Sequence, residues 1–528
     1  MIKVLCNILK RVIDYTICFY LILILSVMPF FNRNGYLRIG TDKSYFFNLI
    51  CVNIGRLLVS ITVIYLFLLV YILRREAWTK LKENLSVTDL FAASYGLILV
   101  ISFFCSDYKE NALWGTGGWY MGFWPQMFLV LTYFFVSKLW MPRKWMLYLG
   151  LAASLVVFAL GFLNRFGVDP LGMDIGLPGF ISTIGNINWY CGYLTSIFFA
   201  GAALLWQNSE QKLWLRLSLI LYVTVGFGTL VSQGSDSGIL AMSIVLPVMF
   251  CLSARDSERM LNFWLVMTLL GFACVISYIV QWAMPPDSVT YDIGLAAFLI
   301  TGWVPFCLMF VSLFIFSGIA IAQKRRLYSK KVIKVLTMLV RVGLTVAAAG
   351  IIIFTALIAV NTVHPGSIGP LSNYQIFTFS AKWGSSRGAT WSAGWRCFWE
   401  QNILHKLVGV GPDSMPSFLY QDGSPELLET VNKIFGDAIL TNAHNEWLTV
   451  LVNTGILGVI AFGGMISTAI YRYLRKVGKN KIVCACGICL TAYTANNIFS
   501  FQQAMSVATI FVILGMGGAF LQDKNYIQ

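Results

Sequence analysis

Apolar stretches of about twenty residues, each with at most one charge, follow one another along almost the whole chain, separated by short charged connections. A stretch of that length crosses about 30 Å of hydrocarbon as a single helix, and helices satisfy all their own backbone polar groups where water is absent. With 58% hydrophobic and only 12% charged residues over 528 positions, the chain holds more apolar surface than one water-soluble core can hide. Reading between the charges gives about fourteen stretches: 12–31, 49–73, 88–105, 120–140, 145–164, 188–206, 214–230, 235–253, 261–282, 293–322, 336–360, 447–471, 482–499 and 503–521. The third, seventh and last two are short for a span, so the count is about 12–14 helices. The expected fold class is an all-α polytopic integral membrane protein.

Cations fix an expected orientation, because Lys and Arg stay on the cytoplasmic side while Asp and Glu count little. Alternate connections carry Lys3, Lys10 and Arg11; Arg74, Arg75, Lys80 and Lys82; Lys138, Arg143 and Lys144; Lys212; Arg255 and Arg259; a cluster from Lys324 to Lys334; and a cluster from Arg472 to Lys481. The other connections are cation-poor. Both termini are therefore expected in the cytoplasm and the protein in the cytoplasmic membrane. Three regions follow: an N-terminal bundle (1–360, about eleven helices), an extracytoplasmic loop with short interfacial helices (361–446), and about three C-terminal helices (447–528). The net charge of +15 is then mostly topology signal. No basic, soluble face is present for a nucleic-acid partner.

Of the twelve cysteines only Cys397 falls in the loop. Cys484, Cys486 and Cys489 form a C-x-C-x2-C run, but inside an apolar stretch they read as small buried residues rather than metal ligands. No retained-versus-cleaved ambiguity arises at the first apolar run, which lacks a small-residue cleavage site and reads as a helix.

The loop is the one long polar excursion. From Ser385, Trp391, Trp395, Phe398, Trp399 and Ile403 recur at helical spacing, the pattern of an amphipathic helix lying at the headgroup level. Arg387 precedes that helix and Arg396 falls within it. Each guanidinium can anchor lipid headgroups or hold a phosphate. Gly409-Val410-Gly411-Pro412-Asp413 makes a turn whose glycines permit close backbone approach and whose amides can face an anion. Ser424-Pro425-Glu426 opens a short helix that Gly436 closes. Of three histidines, His364 and His405 sit in no pattern. His444 stands directly before the chain re-enters the apolar phase, followed by Asn445 and Glu446 and by Gly455 and Gly458, a small-residue pair suited to helix contact. A histidine at such a place can exchange a proton near neutral pH.

These elements in this order (His444-Asn445, then Gly455-x-x-Gly458, preceded by Arg387 with Trp391, Gly409-x-Gly411 and the earlier Gly185-Asn186-Ile187-Asn188) resemble the O-antigen ligase and O-antigen polymerase family of bacterial surface-glycan assembly proteins. The resemblance covers roughly residues 185–462. It implies a GT-C-like membrane fold and transfer of a glycan from an undecaprenyl-diphosphate-linked donor to an acceptor hydroxyl of a glycan, lipid or protein. His444 would be the general base or would orient that hydroxyl. Arg387 would contact the diphosphate, with Arg396, Asn445, Asn186, Asn188, Gly409 and Gly411 as further substrate-binding positions. Asn445 and Glu446 would set the histidine tautomer. No Asp-x-Asp occurs in the chain, so guanidinium groups would take the role of a metal ion, and no cofactor is implied. One position departs from the ligase pattern: where members carry Ser-Arg-Gly, this chain reads Ser232-Gln233-Gly234, so either Arg387, Arg396, Lys382 or Arg56 holds the donor or the chemistry differs. The rival class is a multi-span transporter or a flippase-type partner of glycan assembly, with Asn186, Asn188, Arg56 and Asp236 lining a substrate path.

Overall fold

The computed structural model describes residues 2–73, 84–173, 179–207, 212–284, 294–325, 327 and 330–523. Arg74, Arg75, Lys80, Lys82 and Arg326, part of the cation pattern above, lie outside them, as do the side chains of Lys330 and Lys331. The described chain is helical almost throughout. In order the helices are α1 (Ile2–Ile22), α2 (Ile39–Ile50), α3 (Arg56–Leu73), α4 (Val87–Cys105), α5 (Lys109–Trp114), α6 (Phe123–Phe134), α7 (Lys144–Arg165), α8 (Ile187–Trp206), α9 (Leu213–Ser232), α10 (Asp236–Ser253), α11 (Ser257–Ala283), α12 (Val304–Lys324) and α13 (Lys330–Val363). After them come α14 (Trp383–Glu400), α15 (Ile403–Val408), α16 (Met415–Gln421), α17 (Pro425–Phe435), α18 (Glu446–Leu474), α19 (Lys481–Asn496) and α20 (Ala504–Gln522). A two-residue antiparallel pair, β1 (Phe180–Ile181) with β2 (Gly185–Asn186), sits just before α8.

Among the described residues eleven helices are long and apolar enough to cross a membrane. The chain is an all-α, multi-pass membrane protein. The remaining expected spans fall on helices that are shorter or less apolar: α1, continued by a π-helical turn at Leu23–Val27; α6, continued by another at Phe135–Leu139; and α19. The stretch at 293–322 is divided, with a 3-10 turn at Gly294–Leu299 before α12 begins at Val304.

The helices differ in how far protein surrounds them. In α8 and α20 94% of the most apolar window is buried, so these two form the centre of the bundle, whereas in α13 none is, so α13 lies at the rim. Around the centre a single apolar cluster runs from α1 to α20. Two of the carboxylates inside it are paired: Arg143 bonds Asp14 at 2.5 Å, and Lys138 bonds Asp89 at 2.6 Å. A carboxylate removed from water needs such a partner, because leaving it alone costs several kcal/mol, on the order of the whole stability margin.

Between α13 and α18 no helix is among the membrane-crossing candidates. Asn361 organises the way in, its amide reaching Thr378 at 2.7 Å and its oxygen accepting from Ser372 at 2.8 Å. Helices α14 to α17 then pack on their own small apolar core of Ala393, Cys397, Phe398, Val410, Met415, Leu419, Leu427 and Val431, with Val452 from α18. Ser424 caps α17 through the Leu427 amide, and Pro425 occupies its first turn. The expected amphipathic helix is present, and Arg387, expected just before it, is its first regular residue. Gly384, Ser385 and Ser386 have left-handed backbone, and regular helix begins at Arg387. Trp395 and Trp399 are half exposed on one side while Phe398 is buried on the other.

Candidate functional site

Three chain regions meet at His444. The residue stands in left-handed conformation (φ 47°), its amide tied to the Asn442 oxygen at 2.9 Å, one residue ahead of the cap of α18. Its ring lies edge-on to Phe501, 5.1 Å between centroids. Phe501 belongs to the short link between α19 and α20 and contacts Trp119, which in turn meets Trp189 of α8. Phe499 of the same link stacks on Trp391 and offers its carbonyl to the Arg387 Nε at 3.1 Å. The second Arg387 bond goes to the Gly384 carbonyl at 3.0 Å. Both acceptors are neutral.

Electrostatics follow from that packing. Burial lowers the Arg387 guanidinium's preference for its charge, and the carboxylate of Asp236, at the start of α10, works against that. His444 is pushed down from 6.5 to about 4, first by burial and then by the positive charge of Arg387. Its imidazole is therefore neutral at physiological pH, with one nitrogen able to accept a proton. Neither ring nitrogen has a hydrogen-bond partner among the described residues.

Beneath His444 runs a buried polar chain. Glu446 accepts from the Tyr493 hydroxyl at 2.8 Å and from the Asn497 amide, while its own backbone amide bonds the Asn497 carbonyl at 3.0 Å. Asn497 accepts from Asn496 at 2.7 Å, Asn496 accepts from the Cys191 thiol at 3.4 Å, and Ser237 reaches the same sulfur. Ser237 meets Ser235, whose hydroxyl donates to Asn188 at 2.8 Å. The Gly185-Asn-x-Asn element and the His444 region are thus joined through α10 and α19. Next to this chain a cavity of about 30 Å³, room for about one water, is lined by Tyr95, Trp119, Asp413, Glu446 and Phe501 among others.

The expected site residues divide. Arg387 and His444 come together, and Asn188 approaches them through Ser235 and its neighbour Asp236. Asn186 caps α8 by accepting from the Asn188 amide at 2.9 Å. Asn445 caps α18 through the Leu448 amide at 3.0 Å, and Glu446 turns toward Tyr493 and Asn497, so neither sets the tautomer of His444 by a direct bond. Arg396 lies elsewhere, facing Glu426 at 3.3 Å and Glu400 at 3.9 Å. The Gly409–Gly411 amides that an anion would need are occupied: Gly409 donates to His405, Val410 to Val452 at 3.2 Å and Gly411 to Asn453 at 3.1 Å. What these glycines supply is close approach. A Cβ on Gly409 would come within 2.1 Å of the Asn453 carbonyl. Across from it Gly455 (φ 69°, ψ −173°) breaks α18, and its own Cβ would sit 2.3 Å from the Leu407 backbone. Gln233 closes a turn on itself, bonding the Ser235 carbonyl and amide at 2.7 and 2.9 Å.

Of the other histidines, His364 is exposed and His405 is buried between Asn402 and the Cys105 carbonyl. All twelve cysteines are unpaired, and burial pushes the Cys397 thiol up to about 12, which removes it as a nucleophile. Sequence reasoning missed Phe499, Phe501, Asn496, Asn497 and Trp119, and gave Asp236 no place beside Arg387. Asp413 was seen only as a turn residue. It is buried, its carboxylate taking the Thr116 and Met121 amides at 2.8 and 3.2 Å, and burial pushes it up to about 7.

No protein-family model matches the chain, and no curated protein matches it at a significant level.

Proposed function

We propose that the chain is a lipid-linked-oligosaccharide-dependent glycosyltransferase of the O-antigen ligase and polymerase kind. It moves a glycan from undecaprenyl diphosphate to an acceptor hydroxyl at the outer face of the cytoplasmic membrane, with 361–446 as the extracytoplasmic loop. The observation that carries this reading is that His444 and Arg387, remote in sequence, converge on one short link, His444 against Phe501 and Arg387 on the Phe499 carbonyl. A neutral imidazole with no hydrogen-bond partner among the described residues suits a general base, and a guanidinium whose hydrogen bonds go to two neutral carbonyls suits an incoming anion.

In the reaction the acceptor oxygen forms a bond to the anomeric carbon from the face opposite the diphosphate. The bond from that carbon to the diphosphate oxygen breaks, and undecaprenyl diphosphate leaves with the electron pair. The acceptor proton passes to His444. Charge developing on the leaving oxygen is stabilised by Arg387, a contribution of about 3 kcal/mol for one well-placed donor. A diphosphate beside Arg387 also cancels the positive charge that holds His444 down, so donor binding raises the basicity of the residue that must take the proton. Gln233 has no part in holding the donor. The carboxylate of Asp236 offsets part of the cost of burying the Arg387 charge.

The test is transfer from a defined lipid-linked glycan by the purified full chain in liposomes. His444→Gln and Arg387→Gln are each expected to lose about 100-fold or more in rate. A His444→Gln protein that folds and transfers at the native rate would remove the base and with it the reading.

A further inference from the structure

We infer that the chain has a second lipid site, separate from His444, that holds a monoanionic glycerophospholipid by its phosphodiester at Arg56.

The site is a cleft of about 400 Å³ along the flank of α3, with Arg56, Ser60, Trp114, Trp124 and Phe128 around it. Its floor is built by a π-helical turn, Cys51–Gly55, that presses the backbone against the Phe128 ring, so closely that a Cβ on Gly55 would come within 2.2 Å of it. Below Arg56, residues 57–73 contain no charge and rise about 25 Å, close to the thickness of the hydrocarbon layer. A crossing by 57–73 puts Arg56 at one edge of that layer, seven residues inside the 49–73 stretch read from the sequence. Trp114 and Trp124 are 37% and 48% exposed beside it, as indoles at the headgroup level are. Only 22% of the most apolar window in the segment Ile39–Ile72 is buried by protein, so the flank faces lipid chains.

The charge identifies the occupant. Arg56 makes no ion pair or side-chain hydrogen bond with any described residue, and no other cation or carboxylate lines the cleft. An unpaired guanidinium at the edge of hydrocarbon needs an anion, and phosphate oxygens match its fork of donors. One cation balances one phosphodiester charge. A zwitterionic headgroup brings its own cation and a diphosphate brings at least two negative charges, so both fit less well. The apolar walls and the volume suit the glycerol and upper acyl segments of the same lipid.

The experiment is native mass spectrometry of the delipidated full chain in a non-ionic detergent, titrated with dioleoylphosphatidylglycerol or dioleoylphosphatidylcholine. Phosphatidylglycerol is expected to bind first with about a fivefold preference, the size of one interfacial cation's contribution. Arg56→Gln should erase that preference, Arg56→Lys should keep most of it, and Arg475→Gln, which alters an interfacial arginine outside the cleft, should leave it unchanged. Equal binding of the two lipids by the native chain, or a preference surviving in Arg56→Gln, overturns the proposal. So does displacement of the bound lipid by inorganic phosphate alone, or one-for-one by a polyprenyl diphosphate. Elution profile and helical content establish that Arg56→Gln is folded, and the Arg56→Lys result stands even if it is not.

Discussion

His444 offers the sharpest physical test, because two separable causes lower its proton affinity. A histidine in water titrates at 6.5, and here the value is about 4. Charging the ring in the folded protein therefore costs about 3 kcal/mol more than in the unfolded chain. Burial is the larger cause and Arg387 the smaller. In protein labelled with ¹³C-histidine, the three ring signals can be assigned with His364→Gln and His405→Gln, and that of His444 should titrate near pH 4. Arg387→Gln removes the neighbouring charge and leaves the burial, so the midpoint should rise by about one unit and stop short of 6.5. Inorganic pyrophosphate added to native protein should move it in the same direction. The folded value lies below the unfolded one, so neutral His444 contributes stability that is complete above about pH 6.5 and is lost as pH falls toward about 4. Thermal midpoints should accordingly fall more steeply over that window in native protein than in His444→Gln. A native midpoint near 6.5, or one that ignores Arg387→Gln, refutes the reasoning.

Arg396→Ala should change transfer by less than about threefold and stability by less than about 1 kcal/mol, since its partners Glu400 and Glu426 are solvent-accessible, whereas Arg387→Ala should cost about 100-fold in transfer with little loss of fold. Gly409→Ala and Gly455→Ala, both at positive φ and both aimed at backbone, should each destabilise by about 2 kcal/mol or more in a thermal or denaturant assay, while Gly117→Ala, with open space around it, should stay within about 0.5 kcal/mol. Burial pushes Asp413 from 3.8 up to about 7, so the neutral acid is favoured on folding and stability declines as pH rises between those values. Asp413→Asn keeps an acceptor for the Thr116 and Met121 amides, and should melt above native protein at about pH 8 but level with it near pH 4.

Much of the fold was legible because the lipid-crossing signal is local. Apolar length alone located the helices, and Ser424-Pro425 with Gly436 marked both ends of α17. The π-helical turns at 23–27, 51–55 and 135–139 were not, since they answer to packing between helices rather than to any residue pattern. Gly455 misled in an instructive way. Its spacing to Gly458 suggests smooth helix contact, but its backbone is left-handed and α18 breaks there to receive the Gly409 turn. Arg396 separates from Arg387 once both are seen to lie on α14: nine residues at about 100° each leave it half a turn out of phase, on the opposite face. Asn445 and Asn186 carried a cap signature as strong as any binding signature, and both cap. Phe499, Phe501 and the Asn496–Asn497 pair had no local signal at all, because their link between α19 and α20 matters only through contacts with residues far away in sequence.

The most direct measurement is the glycan profile, on the lipid carrier and at the cell surface, of a deletion strain complemented with the native chain, His444→Ala or Arg387→Ala. The native chain should restore the surface glycan. Each variant, inserted at native level, should leave glycan stranded on the lipid carrier, as single repeat units for a polymerase or as full-length chains for a ligase. Full restoration by both variants would contradict the account.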